Sequence, residues 1–151
     1  MERFAMEMKT VTLATVKEVV PLFNAYREFY NQPSDLEQAE QFLKERLQKE
    51  ESIIFLAYLD AQPVGFVQLF PIFSSVAMKK AFLLNDLFVA EHARKQGVAM
   101  RLIEECYAYC KNEDARYITL ETATDNKQAQ KLYEKLGMKI DQDVFHFIKY
   151  W

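Results

Sequence analysis

The sequence predicts an α/β fold with strands of mixed direction around one sheet, and three observations carry that prediction. Two apolar runs, Ile53–Leu59 and Val64–Phe70, flank the turn segment Asp60-Ala61-Gln62-Pro63 and read as a hairpin. A third run, Lys80–Val89, leads through a basic turn into an amphipathic segment and then into Tyr117–Glu121. That last strand is reached through a helix, so it should lie parallel to its predecessor. Two capped helical patterns precede the hairpin. At 151 residues, half of them apolar, the chain is long enough for one domain, residues 1–151, with a substantial core.

The elements follow in order. Thr10–Ala14 can form a first strand. Thr15-Val16-Lys17-Glu18 reads as a capping box opening a helix with Val16, Val19, Val20, Phe23 and Tyr26 on its apolar face, and Pro21 inside that pattern should kink it. Gln32-Pro33 breaks the chain. Ser34-Asp35-Leu36-Glu37 is a second capping box, followed by the stripe Leu36, Ala39, Leu43 and Leu47. After the hairpin, Pro71 should end its second strand. The helix after the basic turn carries Ala99, Leu102, Ile103, Cys106 and Cys110 on one face. A final helix runs from Asn126 to Leu136 with Gly137 as its stop. Asp143–Trp151 closes with alternating strand character.

The net charge of −3 argues against a nucleic-acid partner, whose binders carry a basic face, and is more compatible with cationic acceptors. Met1-Glu2-Arg3-Phe4-Ala5-Met6 lacks the basic start and apolar core of a signal peptide, and no run reaches membrane-spanning length. A cytoplasmic protein with no membrane partner is the expectation. Cys106 and Cys110 lie one helical turn apart and read as small buried apolar residues. A metal site would want further Cys or His beside them, so none is expected.

The stretch Arg94-Lys95-Gln96-Gly97-Val98-Ala99 is the most informative in the chain. A strand, a tight basic turn and a helix N-terminus form an anion cradle, because the first-turn N–H groups are unpaired and the helix dipole favours negative charge there. Gly97 admits a phosphate close to the backbone. A Walker A loop would need Lys-Ser/Thr after its last glycine, and a dinucleotide fingerprint three spaced glycines; neither is present. A diphosphate-bearing cofactor is the natural ligand.

The pattern Arg94-x-x-Gly97-x-Ala99, followed by Asn126, Ala129 and Leu132-Tyr133-Glu134-Lys135-Leu136-Gly137-Met138, resembles the GNAT superfamily of N-acetyltransferases. The resemblance is strongest from Leu83 to Met138. Ala99 stands where Gly is commoner and Met138 where Phe is commoner, so a small and a large apolar residue are retained. The resemblance implies a mixed, mostly antiparallel twisted sheet with a splayed parallel strand pair, flanked by about four helices. It also implies acetyl-CoA as cosubstrate, without a metal. The pyrophosphate would dock on Gln96, Gly97, Val98 and Ala99 beside Arg94 and Lys95. The pantetheine arm would run along Leu87, Phe88 and Val89, with Asn126 and Ala129 beside it.

In the same reading Tyr133 returns a proton to the departing thiolate. A thiol of pKa about 8.5 can take it from a phenol of about 10, which itself stays protonated at neutral pH. Tyr133 would look the same as a core aromatic, and Asn126 the same as a helix cap. The acceptor amine needs the opposite service, since at pH 7 an alkylammonium is less than about one part in a thousand neutral. Glu121 is the leading candidate base, at the position of a glutamate in ribosomal-protein N-acetyltransferases. Asp86 is the second, placed much as an acidic residue of diamine acetyltransferases, with Asn85 where those carry an acid. Either carboxylate could equally be solvated or capping a turn. Tyr26, Phe29 and Tyr30, with Asn85 and Asp86, are the candidate acceptor-site residues.

The expected reaction is acetyl transfer to a primary amine by direct attack in a ternary complex, the small acceptors open to it being a polyamine, an amino acid or an amino sugar, with a small polyamine-like cation slightly favoured. A protein lysine or N-terminus, and a non-catalytic CoA-binding regulatory module, are the alternatives. The resemblance further implies a homodimer paired through C-terminal strands.

Overall fold

The predicted hairpin is the centre of a five-stranded sheet in the order β1-β2-β3-β4-β5. The strands are β1 (Met6–Thr10), β2 (Ile53–Leu59), β3 (Gln62–Ser74), β4 (Lys79–Val89) and β5 (Ile118–Thr119). The first four are antiparallel to their neighbours, and β5 is parallel to β4. Among the described residues four α-helices accompany them: α1 (Val20–Phe29), α2 (Leu36–Gln48), α3 (Val98–Asn112) and α4 (Lys127–Lys135). This computed structural model describes residues 5–151. Met1-Glu2-Arg3-Phe4, part of the segment read for a targeting signal, lies outside the described residues. The chain divides into two compact units, one ending at Glu121 and the other running from Thr122 to Trp151.

In the first unit the strand period of two decides which helices each face meets. Ile54, Leu56 and Tyr58 of β2, with Phe66 of β3, share a buried cluster with Val16, Val19, Val20 and Phe23 and with Ala39 and Leu43 of α2. The opposite face meets α3, whose Tyr109 ring packs edge-on against Phe55 and Phe82. Leu102, Ile103, Cys106 and Cys110 are buried on the inner side of α3, as the sequence stripe predicted. Burial pushes both thiols up, Cys110 to about 11.

Several boundaries differ from the sequence expectation, each for a physical reason. The first strand is Met6–Thr10 rather than Thr10–Ala14. Beyond Val11 the Thr15 hydroxyl accepts from Thr12 N at 2.9 Å and Thr15 N donates to Thr12 O at 3.0 Å, a local turn that competes with the sheet ladder. Thr15 therefore caps no α-helix; a short 3-10 turn, Val16–Glu18, follows it. Pro21 falls in the first turn of α1, where a missing N–H costs nothing, so it introduces no kink. The cap of α2 is Asp35, which accepts from Gln38 N at 3.0 Å, while Ser34 instead receives Asn24 Nδ2 at 3.0 Å. Strand β3 continues past Pro71 to Ser74. Pairing with β2 ends at Leu69, so Pro71 stands in a two-stranded ribbon with β4 and one side of its backbone has no ladder to break.

Strand β5 is shorter than Tyr117–Glu121. It pairs through Phe82↔Ile118 and Leu83↔Thr119, while β4 continues to Val89 with β3 as its only ladder among the described residues. In the second unit, α4 is bounded as predicted, but Asp143–Trp151 forms no strand.

Candidate active site

A β-bulge places the most unusual group in the first unit. Gln68 pairs with Asp86 and the adjacent Leu69 pairs with Leu84, so Asn85 is an extra residue on β4. A bulge bends its strand and re-aims neighbouring side chains. Here Asn85 is exposed, and Asp86, though charged in type, is only 4% exposed. A buried carboxylate needs hydrogen-bond donors to remain tolerable. Asp86 has them: Gln68 Nε2 donates to Oδ2, Asn85 Nδ2 to Oδ1 at 2.9 Å, and the Tyr26 hydroxyl is bonded to the same carboxyl. Burial holds the Asp86 pKa above the ordinary carboxylate value, and the bonds from Gln68, Tyr26 and Asn85 pull partly against that. Behind Gln68, the Ser52 hydroxyl donates to Oε1 at 2.6 Å, and both residues are buried.

Asp86 opens onto a cavity of about 370 Å³ between α1, α2 and the sheet. Its apolar walls are Phe23, Tyr26, Ala39, Phe42 and Phe70, and its polar groups are Asp86, Asn85, Gln38 and Arg27. Phe23 and Phe42 stack at 5.9 Å, which holds α1 and α2 together along one wall. Of the residues singled out in the sequence, Tyr26, Asn85 and Asp86 meet here. Phe29 and Tyr30 do not line the cavity. They are 64% and 59% exposed, and Tyr30 packs edge-on behind Tyr26 at 5.1 Å. Ser52, Gln68, Arg27, Gln38, Phe42 and Phe70 escaped the sequence reading. Only Gln68 carried a signal, as the one polar side chain inside the run Val64–Phe70.

The basic turn leads from β4 into α3. Gly97 is the helix N-cap at φ +80, a left-handed conformation that glycine adopts without strain, and a Cβ there would meet nothing within 4 Å. No side chain caps this end, so the leading amides of α3 are left for an external acceptor. Lys95 is also left-handed, at φ 63. Arg94 is anchored: its Nε donates to Val89 O at 3.0 Å and its guanidinium lies over the Phe88 ring at 5.9 Å. Gly65 on β3 lets these parts approach, because a Cβ there would sit 3.0 Å from Phe88 O and 3.2 Å from Val98 Cγ1. Leu87, Phe88 and Val89 are half-buried on the stretch of β4 that β5 does not cover. Glu121 ends the first unit and is exposed.

The second unit carries the remaining motif residues. Asn126 caps α4, its Oδ1 accepting from Ala129 N at 3.2 Å, as the cap reading proposed. That bond leaves the Asn126 amide N–H groups unused by the cap. At the other end Met138 N donates to Tyr133 O and Gly137 N to Glu134 O, each at 3.0 Å, a Schellman closure that fixes the last turn around Tyr133. Tyr133 is half-buried on α4.

A strand pair that parts after Leu83, an uncapped glycine N-terminus after β4 and a small cavity under a bulged carboxylate together have the makings of a two-substrate site. The profile of the Acetyltransferase (GNAT) family matches residues 18–138. The uncharacterized N-acetyltransferase YhfO of Bacillus subtilis (strain 168) is 43% identical over 142 residues, which is 94% of this chain and 95% of that protein. A crystal structure of a probable acetyltransferase superposes with a TM-score of 0.91 at 37% identity, covering 96% of this chain and 97% of the other. The aminoglycoside N-acetyltransferase AAC(6')-Iy, in complex with CoA, shares the fold at 21% identity and a TM-score of 0.78, over 98% and 97% of the two chains. The chain is an acetyltransferase that belongs to the GNAT family.

Proposed function

We propose that this chain transfers the acetyl group of acetyl-CoA to a primary amine by direct attack, with Asp86 receiving the amine. The observation that carries this reading is Asp86 itself: a buried carboxylate held by three donors, facing a cavity at the small end of the roughly 300–1,000 Å³ range of ligand sites. Burial that raises its pKa makes Asp86 a better proton acceptor than an exposed carboxylate. This favours it as the base over Glu121, which is exposed.

The residues present fit the cosubstrate. The bare amides from Gln96 to Ala99, with Lys95 and Arg94, suit a pyrophosphate, and the uncovered stretch Leu87–Val89 suits an extended amide-bearing arm added like a strand. When bound, acetyl-CoA supplies an activated acyl thioester. The amine nitrogen, relieved of its proton by Asp86, forms the new C–N bond as the C–S bond breaks. Tyr133 gives the sulfur a proton, so that thiol leaves, and the second proton of the nitrogen, which the amide does not keep, passes through water and restores the phenol. Asn126 and Ala129 accompany the arm. The family profile covers residues 18–138 and so includes residues of both units, which supports reading residues 1–151 as one acetyltransferase domain; action in the cytoplasm is proposed from the sequence alone. The exposed apolar residues of 144–151 support a homodimer joined through that segment.

Thiol release from acetyl-CoA, followed with a panel of amines and with Asp86→Asn, Glu121→Gln and Tyr133→Phe, tests the assignment. Loss in Asp86→Asn and Tyr133→Phe with activity kept in Glu121→Gln is the expected result. Full activity in Asp86→Asn would return the base to Glu121. Tight CoA binding with no release for any amine would instead favour a CoA-binding module.

A further inference from the structure

The ionic groups lining the acceptor cavity are one carboxylate and one guanidinium. Asp86 sits on the sheet side and Arg27 on α1. Among the described residues no carboxylate lies within ion-pair reach of Arg27. Its Nη1 donates to Pro33 O at 3.3 Å, which leaves the rest of its planar fork of donors to other partners. The neutral polar lining consists of the Gln38 and Asn85 amides and the Tyr26 hydroxyl, and the remaining wall is aromatic or aliphatic.

This lining sets conditions on what the amine carries besides its ammonium. A second cation would find no second carboxylate in the cavity and would meet Arg27, a like charge beside low-dielectric walls that screen poorly. A carboxylate would find the guanidinium fork, whose geometry matches it in bidentate fashion. An apolar body would replace water against Phe23, Phe42 and Phe70. We infer that the acceptor is an amino acid with an apolar side chain, its amine at Asp86, its carboxylate at Arg27 and its side chain on the aromatic wall. The inference rests on the acetyltransferase reading and narrows it. It also departs from the polyamine-like acceptor expected from sequence.

Matched pairs provide the test: phenylalanine against phenethylamine and leucine against isoamylamine, with spermidine and kanamycin as polycations. The full chain with acetyl-CoA should favour the carboxylate-bearing member of each pair by tenfold or more in kcat/KM and the polycations least. Arg27→Gln should erase the preference within pairs, mainly through KM, while Arg27→Lys restores part of it. Arg27→Glu should turn the preference towards spermidine. Arg27 is half-exposed, so these variants should melt near the parent temperature. A parent enzyme that prefers spermidine or kanamycin, that uses none of the amino acids, or whose pairwise preference survives Arg27→Gln overturns the inference. Transfer to any amine in those cases leaves the acetyltransferase reading standing; only absence of transfer to every amine counts against it.

Discussion

Gln68 donates to Asp86 Oδ2 through Nε2 while its Oε1 accepts from the Ser52 hydroxyl at 2.6 Å, the orientation that an ionised carboxylate at Asp86 requires. A flipped amide would set two oxygens against each other at Asp86, while the Ser52 hydroxyl, which can also accept, would turn to meet the amide N–H. The chain Ser52–Gln68–Asp86 therefore stabilises the charged carboxylate from behind and leaves its proton-accepting capacity on the cavity side.

That arrangement predicts a shifted pH profile. Gln68→Met keeps bulk and removes the donor, and a hydrogen bond to a charged group is worth about 1.5–3 kcal/mol. The acid limb of kcat/KM should move to higher pH, with activity recovering towards the alkaline plateau. Ser52→Ala should move it in the same direction by less. A melting temperature that falls while the limb stays fixed would mean that Gln68 only fills space.

Asp86 also predicts a trade of stability for function. Burial raises its folded pKa, so between the ordinary value and the raised one the folded chain keeps a proton that the unfolded chain has lost. Stability then falls as pH rises through that window, and the cost is fully present above the raised value. Asp86→Asn should be inactive yet more heat-stable than the parent at pH 7, by roughly 2–4 °C for each kcal/mol regained. The gap should close as the pH falls to about 4. Thermal melts across that range decide it, and an equal gap at every pH would point to packing.

The cradle makes a separate prediction. Gly97→Glu keeps open space around the side chain but imposes a left-handed non-glycine residue, at about 1–2 kcal/mol, and puts a carboxylate where the pyrophosphate would lie. The variant should fold, melt a few degrees lower and lose the rise in melting temperature that CoA gives the parent. An undiminished CoA shift would place the pyrophosphate elsewhere.

The sequence was readable where local rules act alone. The hairpin, the strand into the basic turn, the buried face of α3, the Asn126 cap and the Gly137 stop each follow from periodicity or end chemistry within a few residues. It misled where a local signal competed with pairing. Thr15 looked like a cap but closes a turn on Thr12, and Pro71 looked like a strand end but sits where β2 has already stopped. The cavity was least legible. Arg27, Phe42 and Phe70 stand on three different elements and meet only through tertiary packing, and the bulge at Asn85 depends on a register that β4 does not encode alone.

The last prediction concerns assembly. Phe145 and Phe147 are 92% and 90% exposed, and Trp151 is fully so, in a segment whose sequence has alternating strand character. Covering one such phenyl ring is worth about 1.5–3 kcal/mol, so a second copy would have to cover several of these side chains together to offset the roughly 4–15 kcal/mol that association costs. Trp151 is the only tryptophan, which makes its fluorescence a clean reporter. The chain should sediment as a dimer with blue-shifted emission that moves red on dilution, and deletion of Val144–Trp151 should give a monomer. A chain that sediments as a monomer at every concentration, with emission already that of a solvent-exposed indole, would mean that no second copy covers this segment.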